Sequence, residues 1–201
     1  MNAAAVLERP DYQVIAGWIK PGERVLDLGC GDGSLLKYLV ETRGARGYGV
    51  EKNPARVLAS VKNGINVIQS DLEAGLSGFR DDSFNHVILS LTLQAMYRTE
   101  NLVNEMLRVA REAIVTFPNF AFWRHRVQIA LGGRMPVSDD LPYEWYDTPN
   151  VHLCTIEDFD VFCRDRAYTI IERRVLHEGR PVRLLPNLRG SIAVFRFRRS
   201  S

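Results

Sequence analysis

The sequence predicts an α/β fold: one doubly wound unit with a mostly parallel sheet and helices on both faces. Three observations lead there. Short apolar runs recur from residue 24 onward, helical patterns separate them, and the first run passes straight into Gly29-Cys30-Gly31-Asp32-Gly33. A chain of 201 residues supports one sizeable core and is too short for two ordinary domains, so residues 1–201 are read as a single domain.

The first strand is 24–28, and 46–51, 65–70, 85–91 and 112–117 supply four more, the last stopped by Pro118. Strands this apolar, without alternation, are those buried on both faces of a parallel sheet. Helical patterns occupy 34–42, 54–62 and 100–109; Pro54 behind Asn53 reads as a first helical residue behind a capping side chain. Beyond Pro118 the pattern changes. Residues 120–131 look helical until Gly132-Gly133, and about 133–153 form a lid or interface loop. That loop carries Pro136, Pro142, Pro149, the Asp139-Asp140 pair and the aromatics Tyr143, Trp145 and Tyr146. Thr155 and Asp158 have the spacing of a capping box for a helix through Arg166. Residues 168–177 and 191–198 are two final strands joined by a connection containing Gly and Pro, which makes seven strands in all. Which face of the last one is buried stays open, because Phe195 and Phe197 alternate with Arg196 and Arg198 while Ile192 and Val194 share the arginine parity.

Bulk composition narrows the class. Hydrophobic residues are 46% and charged residues 25%, with a net charge of +2, the mixture of a soluble globular protein with no demand for a polyanionic partner. Arg196, Arg198 and Arg199, and Arg124 and Arg126 around His125, are read as solvated charge rather than a nucleic-acid patch, since no basic motif interleaved with aromatics accompanies them. Cys30, Cys154 and Cys163 make no CxxC pair, so reduced thiols in a cytoplasm are expected and no metal site is. Residues 1–8 are alanine-rich but too short for a signal sequence, and no apolar run approaches the ~18 residues of a membrane span.

Chemistry concentrates in the first half. A strand that runs into three alternating glycines turns sharply into a helix, and glycine lets a ligand touch the main chain there. The pattern is G-x-G-x-G, with Ser34 where a dinucleotide fingerprint has glycine. Glu51 ends the second strand, where a carboxylate can accept both hydroxyls of a ribose. Asp71 follows the third strand, placed to accept from an adenine amino group. Each also has a plain reading, as a tight turn, an exposed glutamate and a loop-capping aspartate; the three spacings together favour a nucleoside ligand.

Residues 25–36, Glu51, Asp71 and 85–91 resemble the successive motifs of class I S-adenosylmethionine (SAM)-dependent methyltransferases. The resemblance implies a Rossmann-like sheet of seven strands whose last strand is antiparallel. It also implies SAM or S-adenosylhomocysteine as cofactor: Gly29, Gly31 and Gly33 at its amino-acid part, Asp27 supporting the loop, Glu51 and Lys52 at the ribose, Asp71 and Leu72 at the adenine. Asn85 stands where those enzymes usually carry aspartate, a departure expected to weaken a structural contact.

The stretches 117–126, 133–136 and 141–150 are similar to the MetW family of bacterial methionine biosynthesis. That resemblance implies an accessory or regulatory role beside MetX, the acyltransferase that activates homoserine. The alternative is a SAM-dependent methyltransferase acting on a small metabolite. After the fourth strand stands Leu91-Thr92-Leu93-Gln94, with neither Asn-Pro-Pro-aromatic nor a Pro-Cys nucleophile. His152, and behind it His125, are the candidate bases, and Tyr143, Trp145 and Tyr146 are candidates for a pocket wall or a partner contact.

Overall fold

The computed structural model describes residues 9–200, and the expectation about residues 1–8 lies outside the described residues. The strands are β1 (Arg24–Leu28), β2 (Arg46–Glu51), β3 (Val67–Gln69), β4 (Phe84–Ser90), β5 (Ala110–Pro118), β6 (Tyr168–His177), β7 (Arg180–Pro181) and β8 (Ile192–Arg199). The helices are α1 (Pro10–Trp18), α2 (Ser34–Arg43), α3 (Pro54–Lys62), α4 (Thr99–Val109), α5 (Trp123–Gly132), α6 (Ile156–Asp165) and α7 (Pro186–Arg189). One sheet holds all the strands in the order β3-β2-β1-β4-β5-β8-β6-β7. Strands β1 to β5 pair in parallel, and β8 enters antiparallel between β5 and β6.

The strand count is therefore eight, where the sequence predicted seven. The extra strand is two residues long and ends in Pro181, so it has no periodicity to read. Glu178 and Gly179, at φ 47° and 75°, form the two-residue turn that folds it back on β6. Pro181 is tolerated because β7 is the sheet edge. The predicted helix at 120–131 begins later, at Trp123, because Asn119 and Phe120 are spent on a turn that ties β5 to β8 and to the loop before α6.

Local signals read from the sequence are in place. The Asn53 side chain accepts from the amides of Ala55 at 2.9 Å and Arg56 at 3.3 Å, starting α3. Thr155 and Asp158 form a reciprocal capping box at α6. Asn85, expected to weaken a contact, makes one: its Oδ1 accepts from the Arg24 amide at 2.9 Å and ties the starts of β4 and β1.

Helices cover both faces. One core packs α4 and α6 on the sheet through Leu102, Val103, Met106 and Phe159. The other packs α1 and α2 through Ile15, Leu36 and Leu39. This settles the open question in β8. Ala193, Phe195 and Phe197 fill the first core and Val194 the second, so both parities are buried. Arg196 stays on the second face, its guanidinium 5.5 Å from the Trp18 ring centroid and paired with Glu172 at 3.5 Å and Glu112 at 3.8 Å. Burying a side chain such as Phe195 completely contributes about 1.5–3 kcal/mol.

Candidate cofactor site

The strand order reverses between β1 and β4, which opens a crevice beyond the carboxyl ends of β1, β2 and β4. The glycine loop sits there. Gly29, Gly31 and Gly33 have φ of 68°, 59° and 78°, a region that costs any residue with a Cβ about 1–2 kcal/mol. The outer two are also crowded: a Cβ on Gly29 would lie 2.9 Å from Thr92 Oγ1, and one on Gly33 3.1 Å from Ser60 Oγ. Gly31 differs, because a Cβ there would meet nothing within 4 Å. The middle glycine thus presents bare backbone to open space.

Neighbouring elements fix the loop. The amides of Gly29 and Cys30 donate to the Val50 carbonyl at 2.8 and 3.1 Å. From α3 and its end, Ser60 Oγ donates to the Gly31 carbonyl at 2.9 Å and Asn63 Nδ2 to the Asp32 carbonyl at 2.8 Å. Glu51 is buried, 6% exposed, with Oε2 accepting from the Gly31 amide at 3.1 Å and Oε1 from the Asn53 amide at 2.8 Å. Each carboxylate oxygen keeps a lone pair.

Asp27, at 2% exposure, makes no side-chain hydrogen bond among the described residues. Burial, reinforced by the charge of Glu51 and opposed by Arg9, pushes its carboxyl up to about 7. A buried acid at the carboxyl end of β1 is the kind of group that a cationic ligand favours in its ionised form. Glu51 thus offers a diol acceptor, Gly31 open backbone and Asp27 a buried acid, a set that suits a nucleoside ligand carrying positive charge.

The other predicted residues fall around this floor. Lys52 is exposed, and its carbonyl accepts from Gln69 Nε2 at 3.5 Å. Asp71 is exposed and uses one oxygen to cap the short turn Leu72–Ala74 through the Glu73 amide at 3.0 Å; Leu72 is buried. His152 is not brought to the loop. It is exposed, 3.4 Å from the Tyr97 carbonyl, on the rim of a 540 Å³ cavity between the starts of α4 and α6 that none of the glycine-loop residues lines. His125 is buried, its Nε2 2.9 Å from Ser138 Oγ, and burial lowers its pKa. Tyr143, Trp145 and Tyr146 lie exposed, so they wall no core.

Sequence reading missed Arg9 and Asp11. Arg9 clasps Asp11 with hydrogen bonds at 3.0 and 2.9 Å and reaches Ser90 Oγ at 3.0 Å, at the end of β4. Leu91 follows with φ 50°, its amide held by both the Thr116 carbonyl and Oγ1 at 3.0 Å. A non-glycine residue in this conformation is strained, and such strain gathers at functional sites. Arg9, Asp11, Leu91, Asp140 and Ile192 line a 260 Å³ pocket. Nothing in the local sequence marks Arg9; only the fold brings it beneath β4.

Comparison with known proteins gives the family and the fold. The profile of the family described as "Methionine biosynthesis protein MetW" matches residues 9–197. A "Bifunctional methionine biosynthesis protein MetXA/MetW" from Rhodopirellula baltica is 41% identical over 157 residues, which are 74% of this chain and 25% of that protein. The chain thus spans about a quarter of the length of the curated relative it matches. Among solved structures, an S-adenosylmethionine-dependent methyltransferase from Mesorhizobium loti superposes with a TM-score of 0.70 at 17% identity, covering 96% of this chain and 98% of that one. A SAM-dependent methyltransferase from Archaeoglobus fulgidus gives 0.67 at 15% identity, covering 98% and 94%. At these identities the likeness is one of fold.

Proposed function

Because the chain belongs to the MetW family of methionine biosynthesis proteins, we propose that it binds SAM and serves a MetX-like homoserine O-acyltransferase as an accessory or regulatory subunit in the cytoplasm. The observation that carries the partnership is the relative in which MetXA and MetW share one polypeptide. Joining two modules makes their encounter intramolecular, which rewards modules that act together.

The cofactor half of the reading rests on Glu51, Gly31 and Asp27. Glu51 accepts the ribose hydroxyls on its remaining lone pairs, the open backbone at Gly31 lets the amino-acid part approach closely, and Asp27 neutralises its positive charge. Asp71 receives the adenine amino group on its free carboxylate oxygen, next to Leu72. The group itself supplies an electrophilic methyl on a sulfonium.

Calorimetry with SAM and S-adenosylhomocysteine tests the first half. The second is tested by assaying acyl-homoserine formation by the acyltransferase with and without this protein. No SAM binding removes the cofactor, and identical acylation rates remove the accessory role.

One observation favours a second reading, methyl transfer to a small metabolite. The 260 Å³ pocket takes in the strained Leu91 and Arg9, whose charge reaches Asp27 of the candidate site, although no glycine-loop residue lines it. Methyl transfer is an in-line displacement, so its main requirement is an acceptor held beside the methyl group. Turnover of labelled SAM with this protein alone separates the readings.

A further inference from the structure

Helix α5 buries a single side chain against the domain. Of Trp123–Gly132 only His125 is buried, its Nε2 2.9 Å from Ser138 Oγ and its ring 5.5 Å from that of Phe122. Gln128, nearly above it on the same side, bonds the Val137 amide at 3.1 Å through its carbonyl oxygen and the Val137 carbonyl at 3.3 Å through its amide. At about 100° per residue, Trp123, Val127, Ala130 and Leu131 share one stripe roughly 170° from His125. That stripe points away from the protein. Trp123 and Val127 are each 44% exposed and Leu131 85%. Every residue of α5 except His125 is exposed, and contiguous exposed apolar surface rimmed by charge marks an interaction site. The rim here is Arg124, Arg126 and Arg134, none of which makes a salt bridge among the described residues.

We propose that the outward stripe of α5 is the docking face for the MetX-like acyltransferase, which presents an apolar groove with an acidic rim. The inference rests on the partnership proposed above and adds the surface. The fused relative identifies the occupant, because three quarters of that protein lies outside the part this chain matches and is a permanent neighbour of it. A second copy of this chain fits poorly: two-fold pairing on the stripe sets the three arginines of one copy against those of the other. Trp123 is the kind of side chain that anchors an interface when desolvated in a pocket, and Leu131 adds apolar area beside it.

The test is the double variant Val127→Glu/Leu131→Glu, titrated into the full-length acyltransferase of the same organism beside the unaltered protein. Both positions face solvent, so melting temperature and SAM affinity stay unchanged and report the fold. Affinity for the acyltransferase is expected to fall by about 30-fold or more. Equal binding by the variant and the unaltered protein overturns the docking face and leaves the partnership standing. No binding by the unaltered protein overturns the partnership, and the occupant with it. A dimer of this chain alone that the variant dissociates overturns the inference in favour of a second copy.

Discussion

Glu51 Oε2 accepts the amide hydrogen of Gly31 at 3.1 Å, so the carboxylate expected at the ribose also holds the middle of the glycine loop. Glu51→Ala removes both functions at once. SAM affinity is expected to drop by on the order of 1.5–3 kcal/mol, the range for hydrogen bonds to a charged group. Glu51→Gln, which retains one acceptor oxygen for either Gly31 or the ribose, falls between. Calorimetry on the two variants gives the order, and unchanged affinity in Glu51→Ala removes the residue from the site.

Asp27 makes both stability and binding depend on pH. Its carboxyl is raised from the ordinary 3.8 to about 7, so between those values the folded protein holds a proton that the unfolded chain has lost. Stability therefore falls as pH rises from about 4 to about 7, by on the order of 3 kcal/mol, and is level beyond. Binding runs the other way: a cationic ligand favours the ionised form, so SAM affinity climbs with pH up to about 7 and then flattens. Asp27→Asn should raise the melting temperature near pH 8, abolish the stability slope and weaken SAM. Melting curves and titrations at about pH 5.5 and about pH 8 check all three, and a slope that survives the substitution belongs to another group.

Asn119 is fully buried and saturated. Its Nδ2 donates to the Asn187 and Gly190 carbonyls at 2.9 Å, and its Oδ1 accepts from Ala121 at 3.2 Å and Ile156 at 3.3 Å. It joins β5, α6 and the α7 turn. Asn119→Ala strands four backbone groups, three of them in buried bonds, and a loss of about 2–4 kcal/mol in chemical denaturation is expected. A loss below about 1 kcal/mol means that water takes over these bonds.

SAM should lower acylation by the reconstituted pair. A protein that serves the acyltransferase and binds SAM senses a compound made from the methionine whose synthesis it supports. Coupling requires different SAM affinities in the free and complexed protein, and ~1–3 kcal/mol changes them about five- to 150-fold. Titrating SAM while following acyl-homoserine, with Glu51→Ala as control, reads this directly. A flat response at SAM levels that saturate the free protein shows that SAM serves only to stabilise the fold.

The glycine turn and the strand-end carboxylates of the candidate site were legible in sequence because their signals are local: three glycines after an apolar run, and acids where strands stop. Strands β1 to β5 were legible for the same reason, as were the caps at Asn53 and Thr155. What sequence missed is nonlocal or too short. Arg9 enters the site from 81 residues before its partner Ser90. Two-residue β7 carries no period, and a helical pattern at 120–131 does not say that all of α5 but His125 stays exposed. His152 looked eligible as a base by residue type alone, and position on the cavity rim is what chain order could not supply.

The antiparallel placement of β8 has a consequence for biogenesis. Emerging from the ribosome, the chain presents β1 to β5 in working order, yet β5 ends as an open edge whose Val115 and Phe117 await Phe195. Strand β6 cannot close that edge by itself, because its ladder partners are β8 and β7. Synthesis runs at about 5–20 residues per second, so the nascent sheet carries an unpaired apolar edge for several seconds before the strand that seals it is made. During that interval it is open to mispairing with another chain, and a truncation before Ile192 makes that condition permanent.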